Sequence, residues 1–264
     1  MTKIVRFWLG VFAFSVCLFS VAPVLVIVVE SFTDTDYIVF PPPGFSFKWY
    51  VEFAKRAEFV DSAVVSLIVA LCACLMATWL GTMAAIALVR HEFRGRRVVQ
   101  GFFMSPLSLP GLILGLALLQ FLAGYGLART VVTLTLTHVV ITMPFAIRFV
   151  SLALLSIDPN VEKAARSLGA DSWRTFWNIT FPLIRPGIAA SVVFSFILSF
   201  DEVAASLFVS SATAMTLPVR IFVYIDQNYD PLVTSVSSLL VFLAVIALFI
   251  IEKTVGMGRL FGLK

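Results

Sequence analysis

The chain has 264 residues, 60% of them hydrophobic and only 13% charged, with a formal net charge of +4. A soluble domain carries about 45–50% apolar and about 25% charged residues. The composition therefore excludes a soluble globular fold and describes an all-α integral membrane protein, its apolar surplus placed in spanning segments of about 20 residues. The positive charge is distributed as membrane orientation requires and gives no ground for nucleic-acid binding.

Lys3 and Arg6 precede an apolar run at 7–29, long enough to cross a bilayer. Ser20, Ala22 and Pro23 hint at a cleavage site, but the run continues past them and exceeds a cleaved signal core, so an uncleaved first span is expected. Residues 30–58 are polar and contain PPPGFSFKWY, a surface segment with Phe47, Trp49, Tyr50 and Phe53 at the membrane interface. A second span, 59–89, ends in the basic cluster RHEFRGRR. The third, 98–123, holds Pro106, Pro110 and the Gly111/Gly115 pair, which predict a kinked, closely packed helix. The fourth, 130–156, includes His138, Pro144 and Arg148.

Residues 158–186 form a polar, basic island between apolar runs. Asp158 as cap and Pro159 at the first helical position predict a short helix that stops at Gly169. Ala164, Ala165 and Leu168 give it a shallow apolar strip. Asp171 or Ser172 caps a second helix carrying Trp173, Phe176, Trp177 and Ile179, and Pro182 and Pro186 are expected to close the island. The fifth span, 187–211, contains Asp201 and Glu202. An outer segment, 212–230, leads to the last span at 231–251 and a basic tail.

Six spans put both termini on the inner side. Thirteen Lys and Arg residues then fall inside (Lys3, Arg6, Arg90, Arg94, Arg96, Arg97, Lys163, Arg166, Arg174, Arg185, Lys253, Arg259 and Lys264) and five outside (Lys48, Lys55, Arg56, Arg129 and Arg220). The whole chain, 1–264, reads as one transmembrane domain.

No G-x-x-x-x-G-K-[ST] phosphate loop occurs, so ATP binding by this chain is not expected, and no spacing suits a metal, a cofactor or a catalytic nucleophile. Cys17, Cys72 and Cys74 all lie in apolar runs and read as packing residues. His91 reads as solvated and His138 as packed. Asp201 and Glu202 are different, because an ionisable group within a span faces the bundle interior or a water-filled path. They are candidate path-lining residues that would favour a cationic solute. The alternative is a structural pair bonded to neighbouring hydroxyls, or one that marks a helix break.

The stretch E-K-A-A-R-S-L-G-A resembles the EAA loop of permease subunits of binding-protein-dependent ABC importers. Ala164, Ala165, Gly169, Ile179 and Pro182 stand in register with that motif, Lys163 stands where its Glu is usual with Glu162 one residue early, and Phe181 replaces its Leu. GTMAAIALVR at 81–90, PGLILGLAL at 110–118 and LSFDEVAASLF at 198–208 are similar to permeases of the spermidine/putrescine type, whose wider group also carries aminophosphonates, thiamine or ferric iron. The resemblance implies a type I importer fold, a polyamine as solute, a second permease subunit, a pair of ATPases that bind the ATP, and an external solute-binding protein. It also implies an ATPase-coupling role for Glu162, Lys163, Ala164, Ala165, Arg166 and Gly169. A secondary transporter would instead show inverted halves, and a simple anchor would need no EAA loop.

Overall fold

The computed structural model describes residues 3–127 and 129–255. Arg259 and Lys264 lie outside the described residues. Within the described residues there are helices and no β-strand. In chain order these are α1 (Lys3–Glu30), α2 (Lys48–Lys55), α3 (Ala57–Arg90), α4 (Arg96–Met104), α5 (Gly111–Ala123) and α6 (Val131–Leu155). They are followed by α7 (Pro159–Ser167), α8 (Ser172–Thr175), α9 (Phe181–Phe200), α10 (Ser206–Val209), α11 (Leu217–Ile225) and α12 (Leu232–Val255). Four stretches are long and apolar enough to cross a bilayer as single helices, namely Ile4–Glu30, Ala57–Arg90, Val131–Leu155 and Ser172–Phe200. The apolar, described part of the last helix is Leu232–Ile246.

The expected third span is two helices. Arg96–Ser108, which includes a 3-10 turn at Ser105–Ser108, and Gly111–Ala123 meet at 113°. Pro110 causes the bend, because its ring excludes helical backbone at the preceding residue, and Leu109 is extended (φ −99°, ψ 137°).

Two further differences concern prolines and the fifth span. Pro182 and Pro186 do not close the polar island. A π-helical turn, Phe176–Thr180, carries the chain from α8 into α9, so Ser172–Phe200 is one continuous stretch. Pro182 falls in the first turn of α9, directly after the wider turn, and Pro186 is absorbed within the helix. At its other end the helix stops at Phe200, eleven residues short of the expected boundary, with Asp201 as its C-cap.

The chain divides into two compact units. The first comprises residues 1–61 and 221–246. In it Trp49 is buried, not at the interface as expected, because its Nε1–H finds the Thr35 carbonyl at 3.0 Å and so lets the indole pack inside the 31–55 segment. Arg56 donates to the Tyr224 hydroxyl at 2.7 Å, which donates to Asp230 at 2.6 Å. Burial, reinforced by the Asp230 carboxylate, pushes the Tyr224 phenol up to about 12, so it stays a neutral donor to that carboxylate.

The second unit comprises residues 62–220 and 247–264, and α6 is its centre. Two neighbours approach α6 to backbone contact through glycine. A Cβ on Gly81 of α3 would lie 2.7 Å from Ala146 Cβ, and one on Gly187 of α9 would lie 2.5 Å from Ala153 Cβ and 3.1 Å from the Phe149 carbonyl oxygen. Below these contacts Ala85, Leu88, Ile147, Val150, Leu154, Ile157 and Ile184 form one apolar cluster joining α3, α6 and α9.

Gly187→Leu should therefore overpack the α6–α9 seam and cost about 1–3 kcal/mol. A lowered unfolding temperature of the detergent-solubilised protein measures it. Gly10→Ala, where nothing lies within 4 Å of the added carbon, should leave that temperature unchanged.

Candidate functional site

Two places in the second unit carry polar chemistry at positions where helices begin and end. The first is the segment around α7. Asp158 accepts a hydrogen bond from the Asn160 amide at 2.9 Å, with Pro159 opening the helix. At the other end Gly169 adopts φ +89°, which a glycine tolerates. The Gly169 and Ala170 amides reach back to the Arg166 and Ala165 carbonyls, a double bond pattern that seals the C-terminus. Asp171 caps the next helix through the Arg174 amide at 2.7 Å. The result is a rigid 9-residue helix closed at both ends.

Its two faces differ. Glu162 is buried and Ala165 half-buried, whereas Val161, Lys163, Ala164, Arg166, Leu168 and Gly169 are exposed, Leu168 at 89%. The apolar strip read from the sequence thus lies partly on the open side. Glu162 Oε1 lies 3.1 Å from Arg90 Nη2 and accepts a hydrogen bond from the Thr180 hydroxyl at 2.9 Å. Of the sequence-predicted coupling residues, Glu162 is the one whose side chain is spent inside the chain. Arg90, read from sequence as one of a basic cluster, is drawn inward, while Arg94 and Arg97 stay exposed. No local signal in the sequence points to the partners of Glu162, since they lie 72 and 18 residues away.

The second place is the break after α9. The chain leaves helical conformation at Asp201, and Glu202 Oε1 accepts the Ala205 amide at 2.8 Å, so this carboxylate caps the next short turn. Asp201 is exposed and Glu202 half-buried. The structure thus separates the two: Glu202 holds the backbone of the break and Asp201 does not. Buried His138 of α6 spans the break, with Nδ1 2.7 Å from Ser199 Oγ and Nε2 2.8 Å from Ser206 Oγ. Helix α5 comes close on another side, where a Cβ on Gly115 would lie 2.6 Å from both Cα and the carbonyl oxygen of Ala205. From the sequence alone His138 reads as packed. Its bonds to hydroxyls 61 and 68 residues away leave no local signal.

Interrupted helices packed against one another at membrane depth are a geometry that transport proteins use to line a path. The family model for the binding-protein-dependent transport system inner membrane component matches residues 77–255, which takes in both places. The chain belongs to that family. The permease is 33% identical over 229 residues to the putrescine transport system permease protein PotI of Escherichia coli (strain K12), covering 84% of this chain and 81% of the relative. It is 29% identical over 251 residues to the spermidine/putrescine transport system permease protein PotC of Haemophilus influenzae, covering 95% and 97%.

Among solved structures, a chain of a bacterial ABC transporter involved in import of the acidic polysaccharide alginate matches with a TM-score of 0.73 at 16% identity, over 96% of the permease and 98% of that chain. A chain of the MetNI methionine ABC transporter matches with a TM-score of 0.64 at 20% identity, over 75% and 94%. At these identities the likeness is one of fold, the fold of type I ABC importer permeases. The permease is thus a transport subunit of an ABC importer, related to the polyamine permeases, and its family is not one of enzymes.

His138→Phe would leave the Ser199 and Ser206 hydroxyls buried without this partner, at about 1–3 kcal/mol for each orphaned group. The expected outcome is a lowered unfolding temperature of the solubilised permease, with His138→Gln losing less because an amide still reaches a hydroxyl.

Proposed function

We propose that the permease crosses the inner membrane six times with both termini cytoplasmic and, with a second permease subunit, forms the path by which a small polyamine enters the cell. Helix α7 is the docking element for a cytoplasmic ATPase dimer, which binds and hydrolyses the ATP, and an external solute-binding protein delivers the solute. The permease itself takes no cofactor. The observation that carries this reading is α7, a helix capped at both ends that presents Val161, Lys163, Ala164 and Leu168 outward, in EAA register, within the matched family region. Relatedness to putrescine and spermidine permeases over most of the chain supports the solute class. So does the exposed Asp201 carboxylate at the helix break, which complements a cationic solute.

Coupling is tested in proteoliposomes holding the complete transporter. Ala164→Trp should lower uptake of labelled putrescine by about tenfold or more while the subunits still co-purify, since a large side chain keeps α7 from seating on the ATPase. Uptake at the parent rate would exclude α7 as the docking element.

Asp201→Asn should raise the solute concentration for half-maximal uptake, or lower the rate, by about fivefold or more, as loss of a path charge does. Competition identifies the solute. Spermidine and putrescine should compete, whereas displacement by an aminophosphonate, thiamine or ferric iron would assign the permease to another branch of the family.

A further inference from the structure

We infer that Arg90, Glu162 and Thr180 form a brace that makes α7 move as one body with the ends of α3, α6 and α9. This rests on the coupling role proposed for α7 and goes beyond it, because it identifies how displacement of that helix reaches the spans.

The geometry gathers four elements on two side chains. Arg90 is the last residue of α3, and Glu162 lies in the first turn of α7. One guanidinium nitrogen, Nη2, serves both the Glu162 carboxylate at 3.1 Å and the Leu154 carbonyl at 3.2 Å, the latter an end carbonyl of α6. Thr180, last residue of the π turn that opens into α9, donates to the same Glu162 oxygen at 2.9 Å. The Arg90 and Glu162 side chains are only 17% and 9% exposed. Solvent therefore screens the pair far less than it screens a surface ion pair.

Burial decides what the contact does. An exposed pair tolerates sliding, but a pair withdrawn from water must keep its geometry or leave an uncompensated charge. The loop between α6 and α7, Ser156 to Asp158, is the covalent link, and its buried Ile157 sits in the apolar cluster of α3, α6 and α9. The brace adds a polar tie further along the chain, on α7 itself. It also ties α7 to α9 across the π turn, the point where the helix is widened and its hydrogen bonding already departs from the α pattern. Glu162 is consequently a positioning residue whose carboxylate faces into the permease, while the partner meets the opposite side of α7, with Lys163, Ala164 and Leu168.

The test measures solute imported per ATP hydrolysed by the complete transporter in proteoliposomes supplied with its solute-binding protein. Glu162→Gln keeps the shape and removes the charge. Thr180→Val removes one hydrogen bond without touching the ion pair, and Arg90→Lys keeps the charge without the fork. The ratio should fall about fivefold or more in Glu162→Gln and Arg90→Lys, and about twofold in Thr180→Val, with hydrolysis continuing in each. An unchanged ratio in all three would overturn the brace. If Glu162→Gln and Arg90→Lys fail to assemble, Thr180→Val decides: an unchanged ratio in it overturns the proposal. If Ala164→Trp uncouples while these variants stay coupled, the docking reading stands and the brace falls; if Ala164→Trp also stays coupled, the docking reading itself falls.

Discussion

The close approach of α3 and α9 to α6 is the constraint on which the second unit depends. In a bilayer, lipid tails are as apolar as leucine, so helices gain little by burying hydrophobic area against each other and hold together by packing and internal hydrogen bonds. Gly81 against Ala146 and Gly187 against Ala153 bring the backbones to contact distance on two sides of α6. Two polar contacts then hang from that helix. His138 holds the break after α9, and the Leu154 carbonyl receives Arg90 at the foot of α7. These two positions are sixteen residues apart, about 24 Å along one helix axis. The foot of α6 and the break are thus joined along one continuous helix, which carries Pro144 between them, without passing through a loop.

Withdrawal from water also explains how the chain spends its few polar side chains. Each interruption of a helix frees amides and carbonyls that the hydrocarbon cannot satisfy. After α9 the freed groups are met by Glu202, which caps Ala205, and the flanking Ser199 and Ser206 hydroxyls by the His138 ring. The break is therefore held by two side chains, Glu202 and His138, and neighbouring Asp201 stands outside that work. The adjacent acidic residues differ by position: Glu202 serves the backbone of the break, and Asp201 is exposed beside it.

Local chemistry was legible in the sequence, and long-range chemistry was not. The membrane class, the helical content and the caps at Asp158, Gly169 and Asp171 all depend on residues close in sequence. The bend at Pro110 was half legible: proline announced an interruption, but an angle of 113° is set by what α5 packs against. Pro182 and Pro186 misled for the same reason, since a proline stops a helix only when nothing re-satisfies the groups it frees, and the π turn before them changes that balance. Trp49 looked interfacial by composition, yet one carbonyl, Thr35, makes burial of its ring affordable.

Lys163 at the usual acidic position of the motif acquires a physical meaning from the helix phase. One residue of α-helix turns the side chain by about 100°, so moving the carboxylate from 163 to 162 moves it from the open side of α7 to the inside. There it is matched by Arg90, and a buried carboxylate without such a partner would be strongly unfavourable. The open side is left with Lys163 and Arg166, with exposed Arg174 beyond the turn, around the apolar Ala164 and Leu168. On the proposed docking reading, the ATPase groove that receives α7 needs an apolar floor and an acidic rim, the reverse of the charge a Glu at 163 would demand. The carboxylate at 162 is thus held inside the chain by Arg90 and Thr180, and the open side of α7 keeps basic and apolar side chains around Ala164.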